Sequence, residues 1–140
     1  MGTIVVGMDD SPGGRAAVAW AADYARDRGD DVVVVDAFAG GWALSALQVN
    51  VDRIQKEEDQ VLPAIVCAPL RDAGVQFKTV KQTKETASAL LSAAKDADAY
   101  IIVYGQTIHK GFSEHVLGAT LHKLLTHTER PVVVVPARPE

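Results

Sequence analysis

The sequence predicts a single α/β domain over residues 1–140, built as a doubly wound sheet of five parallel strands. Three observations predict it. Four short apolar runs, 3–8, 31–38, 99–104 and 131–136, are rich in valine and isoleucine and lack polar alternation, the pattern of parallel strands covered on both faces. Segments with helical spacing of apolar residues separate them. The resulting order, β-α-β-α-β-α-β-α-β, is the alternation that right-handed crossovers wind into one sheet.

The first strand covers Thr3 to Met8. Ser11 and Pro12 then read as an N-cap and the proline favoured at a first helical position, and Val18, Ala21, Ala22 and Ala25 form one apolar face until Gly29 stops the helix. Asp31 to Phe38 is the second strand. A second helix is expected from Ser45 to about Ala73, with Leu47, Val51, Ile54, Val61 and Ile65 near helical spacing and a kink or break at Pro63 and Pro69. The third strand, Val75 to Val80, alternates Val75, Phe77 and Thr79 against Gln76 and Lys78, which suits an outer, more exposed position. Glu85 to Ala97 is the third helix, Ala99 to Tyr104 the fourth strand, Ser113 to His127 the fourth helix and Pro131 to Pro136 the closing strand.

Composition narrows the function classes. A hydrophobic fraction of 48% and a charged fraction of 23% are ordinary for a chain that folds on its own core. Cys67 is the single cysteine, so an internal disulfide and a cysteine-rich zinc site are both excluded. No apolar run approaches the ~20 residues of a membrane span and no signal-peptide core precedes Asp9 and Asp10, so a cytoplasmic location and no membrane partner are expected. A net charge of -4 supplies no electrostatic drive toward nucleic acid.

Ligands of an open parallel sheet bind beyond the carboxyl ends of the strands, where the strand order reverses. Asp9 ends the first strand, Asp36 to Phe38 end the second, and Tyr104 and Gly105 end the fourth. Gly105 is expected to open a loop, Gln106 to Leu117, that returns to Gly118 at the start of the last helix, whose N-terminus offers unpaired N–H donors and partial positive charge to a phosphate.

On these residues the whole chain resembles the universal stress protein family, from Ile4-Val5-Val6-Gly7-Met8-Asp9-Asp10-Ser11 to Arg130-Pro131 and the four valines that follow. The resemblance implies a Rossmann-like or flavodoxin-like sandwich of the adenine nucleotide alpha hydrolase type. Nucleotide-binding members carry a loop of pattern G-x2-G-x9-G-[ST]. Gly105 and Gly118 keep its first and third positions, whereas Ile108 replaces the second glycine and Ala119 the hydroxyl residue. Loss of the hydroxyl removes roughly 1 kcal/mol, or ~1.5–3 kcal/mol toward a charged phosphate. Ile108 would be a poor occupant of a positive-φ position, so a remodelled loop is expected. The site implied for ATP or AMP comprises Asp9, Ala37, Tyr104, Gly105, Ile108, Gly118, Ala119 and Thr120. Asp9 is open to a base-side contact or a capping and turn role, Ala37 to facing the base or plain core packing, and Tyr104 to stacking on a base or filling the pocket. Thr83 and Lys84 replace the Gly-Asp or Gly-Asn often found after the third strand.

No catalytic machinery is expected. P-loop, dinucleotide and nucleophile-elbow signatures are absent. His109, His115, His122 and His127 lack the spacing of three or four residues that a shared ion on one helix needs, and read as solvated, as does Lys110, while the acidic groups Asp30-Asp31, Glu57-Glu58-Asp59 and Asp96 with Asp98, on helix ends or exposed faces, read as structural or solvating. Buried packing is expected of Cys67. Two functions fit: a stress-response regulator that binds adenine nucleotide weakly, or a dimeric interaction module with a decayed site. The apolar edge between Pro131 and Pro136, with the family resemblance, points to a two-fold homodimer; the alternative is that its valines pack into the domain's own core.

Overall fold

The computed structural model describes residues 2–37, 64–108 and 118–138. In chain order its elements are β1 (Thr3–Met8), α1 (Pro12–Arg28), β2 (Asp31–Ala37), α2 (Ala68–Asp72), β3 (Phe77–Gln82), α3 (Thr86–Asp96), β4 (Ile101–Thr107), α4 (Ala119–His127) and β5 (Val132–Ala137). All five strands are parallel and lie in the order β3-β2-β1-β4-β5. The chain steps outward from β1 to β3, then restarts beside β1 with β4. That reversal creates a switch point between β1 and β4.

Side chains alternate across each strand, so the sheet feeds two separate cores. Ile4, Val6, Val32, Val34 and Val103 meet Val18, Ala21 and Ala25 of α1 and Leu70 of α2 on one face. Val5, Val33, Val35 and Ile102 meet Leu90 of α3 and Leu124 of α4 on the other. Each fully buried Val, Ile or Leu contributes about 1.5–3 kcal/mol, which explains why β1, β2 and the first half of β4 carry apolar residues on both faces.

Local chemistry sets the ends of α1. Ser11 is the N-cap, its hydroxyl accepting from the Gly14 N–H at 3.0 Å, and Pro12 opens the helix. Gly29 closes it in the left-handed region at φ 72°, where its N–H bonds the Ala25 carbonyl. The sequence places this helix correctly at both ends.

Other boundaries move. β4 does not end at Tyr104: it runs through Gly105 and Gln106 to Thr107, because Val135, Pro136 and Ala137 of β5 continue to pair with it. Gly105 therefore lies within a strand and opens no loop. β3 starts at Phe77, two residues beyond Val75, and its alternate exposure matches an edge position. The expected break near Pro69 is present, with residues 64–66 helical and Pro69 in the first turn of α2. The rest of the expected helix 45–73, and residues 113–117 of the last helix, lie outside the described residues, as do Phe38 and Glu57-Glu58-Asp59.

Asp30 takes the structural of its two expected roles. It is not a solvated acid but is 4% exposed, because Gly2, Tyr100 and Arg28 converge on it at the amino ends of the strands. Its carboxylate accepts from the Gly2 N–H at 2.8 Å, from Arg28 Nε at 3.2 Å and from the Tyr100 hydroxyl. Arg28 also lies over the rings of Tyr24 and Tyr100, and Tyr24 stacks on Trp20 with centroids 4.8 Å apart. Cys67 is a free, buried thiol in the α1 core, and burial pushes its pKa up.

Candidate functional site

β1 and β4 diverge at their carboxyl ends, and a cleft of about 180 Å³ opens there. Asp9, Gly14 and Gly105, the apolar Val35, Ala37 and Leu90, and Tyr104 are among the residues that line it. A larger, more open hollow of about 350 Å³ lies at the opposite ends of the strands, beside Thr3, Asp31, Phe77 and Lys78. The smaller cleft is the candidate, since it is the one at the switch point.

Two glycines of α1 make its rim possible. A Cβ on Gly105 would stand 1.9 Å from the Gly13 carbonyl oxygen, and one on Gly13 would stand 2.7 Å from the Thr107 nitrogen. The first turn of α1 thus rests directly on the backbone of β4. The Gly13 N–H donates to Thr107 Oγ1 at 3.0 Å, which ties the two together. Asp9 Oδ1 accepts from the Ser11 N–H at 3.0 Å and from the Ser11 hydroxyl, in a position that a Cβ on Gly14 would overlap. Asp9 therefore has a turn role, as a buttress of the Ser11 cap, and also lines the cleft.

The donors of α1 are already committed: Gly13 to Thr107, Gly14 to the Ser11 hydroxyl, and Arg15 to the Ser11 carbonyl. α4 differs. Its N-cap is Gly118, which has no side chain to cap the first turn, and the first helical bond runs from the His122 N–H to the Gly118 carbonyl. The N–H groups of Ala119, Thr120 and Leu121 have no acceptor within the helix and carry its positive end. Thr120 is a side-chain hydrogen-bond partner of Tyr104. Burial raises the Tyr104 pKa, the nearby Asp9 carboxylate adds to it, and the bond with Thr120 opposes both.

The family model described as Universal stress protein family matches residues 1–136. The chain belongs to the universal stress protein family. A universal stress protein of Mycolicibacterium smegmatis is 29% identical over 133 residues, 94% of this chain and 95% of the relative. The crystal structure of a universal stress protein family member from Burkholderia pseudomallei is 26% identical, with a TM-score of 0.71 over 97% of this chain and 96% of that one. The universal stress protein of Archaeoglobus fulgidus in complex with dAMP superposes with a TM-score of 0.69 at 23% identity, over 96% and 98% of the two chains. At that identity the superposition speaks for the fold.

Of the expected site residues, Asp9, Ala37, Tyr104 and Gly105 line the cleft, Thr120 is linked to it through Tyr104, and Gly118 and Ala119, the N-cap and first residue of α4, are not among its lining. Ile108 is held elsewhere. It has no positive φ, and its N–H donates to the Ala137 carbonyl at 2.8 Å, one step beyond the β4–β5 ladder. Strand pairing with β5 thus extends to the start of the segment that carries the motif positions Gly105 and Ile108. Residues 109–117, with His109, Lys110 and His115, lie outside the described residues. His122 and His127 are exposed, and among the described residues no group of three or more His, Cys, Asp or Glu is placed to hold a metal. Among the described residues no helix is long and apolar enough to cross a membrane.

Gly13, Gly14 and Thr107 are site-shaping residues that sequence reasoning missed. A signal was available: two consecutive glycines in a first helical turn cost about 1 kcal/mol each relative to alanine, a cost that close backbone approach explains.

Proposed function

We propose that the chain is a stress-response regulator that binds an adenine nucleotide weakly in the β1–β4 cleft, without catalysis of its own. The carrying observation is the cleft at the switch point, lined by the apolar Val35, Ala37 and Leu90 beside Asp9, Tyr104 and Gly105, with α4, whose N-terminus has no side-chain cap, linked to Tyr104 through Thr120. A purine suits the apolar residues and a phosphate the helix start. The dAMP held by the Archaeoglobus fulgidus relative supports this class of ligand. Ala119 brings no hydroxyl to the helix start, which favours weak over tight binding. The engagement of the Asp9 carboxylate with Ser11 supports the reading without turnover, since among the described residues lining the cleft it leaves no positioned base and nucleophile pair. A homodimer through β5 and a cytoplasmic location belong to the same reading.

Isothermal titration of protein stripped of carried-over nucleotide tests it, with AMP and ATP as ligands. Saturable heat at micromolar to millimolar nucleotide is the expected result. No heat and no thermal shift at millimolar concentrations would replace this reading with a dimeric interaction module whose site has decayed.

A further inference from the structure

We infer that the flank of α1 carrying Trp20, Tyr24 and Arg28 is an interaction surface anchored by the Arg28 guanidinium, and that it takes a partner chain presenting one carboxylate beside an apolar side chain. The inference is independent of the nucleotide reading, because Arg28 meets Asp30 and Tyr100 at the amino ends of the strands, opposite the cleft.

Residues 20, 24 and 28 are spaced by four, so their side chains fall in one row along the helix. Trp20 stacks on Tyr24, and Arg28 Cζ lies 5.3 Å from the Tyr24 ring centroid and 5.6 Å from that of Tyr100, so two aromatic rings share the cation. Arg28 Nε donates to Asp30 Oδ2 at 3.2 Å and to the Tyr100 hydroxyl at 3.1 Å, and the buried Asp30 is held in turn by the Gly2 N–H. A long exposed side chain ordinarily samples many rotamers and loses that freedom when it binds. Arg28 has given it up beforehand, although its side chain is 53% exposed. Such preorganisation lowers the cost of binding.

Fixing Nε leaves Nη1 and Nη2, which have no acceptor among the described residues, as a two-pronged donor. Two N–H groups of a guanidinium match the two oxygens of a carboxylate. Asp30 already offsets the charge of Arg28, and the neighbouring Arg26 is engaged by Asp23 at 3.3 Å and Asp27 at 3.4 Å. The flank therefore offers a directional fork without surplus positive charge, which suits a carboxylate better than a phosphate dianion. Trp20 and Tyr24 are half-buried and place aromatic surface along the same row, for an apolar side chain next to the carboxylate to cover. Trp, Tyr and Arg are the residues that carry most binding energy at protein interfaces.

The test uses the whole chain with two blocked dipeptides, acetyl-Leu-Glu-amide and its neutral isostere acetyl-Leu-Gln-amide, followed by NMR at the Arg28 Nε–H and the Trp20 indole N–H. The glutamate peptide should give saturable shifts at both signals at millimolar concentration and bind at least about tenfold more tightly than the glutamine peptide, the scale of a hydrogen bond to a charged group. Arg28→Lys keeps the charge, loses the fork and should abolish that preference, whereas Lys95→Gln, which removes a charge on α3, should leave it intact. Tyr24→Leu keeps Arg28 and Asp30, removes one ring from the cation and should weaken the glutamate peptide severalfold. Thermal melts verify the fold of each variant. An equal response to the two peptides, or an unchanged preference in Arg28→Lys, would overturn the inference. Tighter binding of inorganic phosphate would give the fork to a phosphate ligand, and shifts at the two signals on concentrating the protein alone would give the flank to a second copy. Either result, like the absence of saturable shifts, would overturn the partner assigned here.

Discussion

A methyl group on Gly105 would overlap the Gly13 carbonyl, so the first prediction belongs to one hydrogen atom. Gly105→Ala should push α1 off β4, break the Gly13–Thr107 bond and cost about 1–3 kcal/mol or more, the usual range for overpacking a tight contact. Urea unfolding measures the loss, and nucleotide affinity should fall with it because α1 carries Asp9's partner Ser11. Stability equal to the parent would contradict the contact. Asp30 carries the second prediction. Burial alone would raise its pKa, but the Tyr100 hydroxyl, the Gly2 N–H and Arg28 together hold it below its ordinary 3.8. A lowered folded-state pKa stabilises the fold above the ordinary carboxylate range and ceases to do so as pH falls through the folded value. Asp30→Asn should therefore cost about 2–3 kcal/mol near pH 7, the scale of bonds to a charged group, and progressively less in acid. The opposite holds for Tyr100, raised from 10.0 to about 12 first by burial and then by Asp30: its contribution is complete below pH 10 and lost as pH climbs through 12. Unfolding curves across both ranges check the signs. A cost for Asp30→Asn that stays flat with pH would exclude the buried charge. Neither residue's role was legible in the sequence, and the reason is the same. Gly105 stood out as a motif glycine and Asp30 as one of an acidic pair, but their partners, Gly13 and Tyr100, are brought to them only by packing of distant segments.

At the scale of elements, apolar runs marked the strand centres and left their ends open. β1 and α1 were placed closely because a cap, a proline and a left-handed glycine sit at their boundaries. β4 was cut short at Tyr104 because Gly105, Gln106 and Thr107 carry no apolar signal, and their strand conformation comes from the β5 backbone alongside. β5 itself divides its valines. Val133 and Val135 pack on the α1 core and Val132 on the α3–α4 core, whereas Val134 remains 38% exposed. That pattern favours a role for Val134 outside the domain's own core. In the homodimer reading, two β5 edges meet antiparallel and Val134→Lys places like charges in the seam. The variant should be a folded monomer beside a dimeric parent, as read by light scattering. A monomeric parent at high micromolar concentration would refute the dimer, and an unfolded variant would return Val134 to the core.

For the molecule as a whole, alternation of strand and helix was enough to read the doubly wound sheet, since parallel pairing needs crossovers and crossovers have one hand. The carboxyl-end position of the cleft was legible for the same reason. The contact beneath it was not, because the approach of α1 to β4 depends on Gly13 and Gly105, whose meeting no local pattern encodes. Among the described residues a hollow lies at each end of the sheet, and the account stands on the choice between them. Backbone amide shifts followed by NMR during titration with AMP test that choice most directly. The account predicts saturable shifts at Asp9, Ala37, Tyr104, Gly105 and Thr120 and unmoved signals from Thr3, Asp31 and Lys78; shifts centred on the latter three would contradict it.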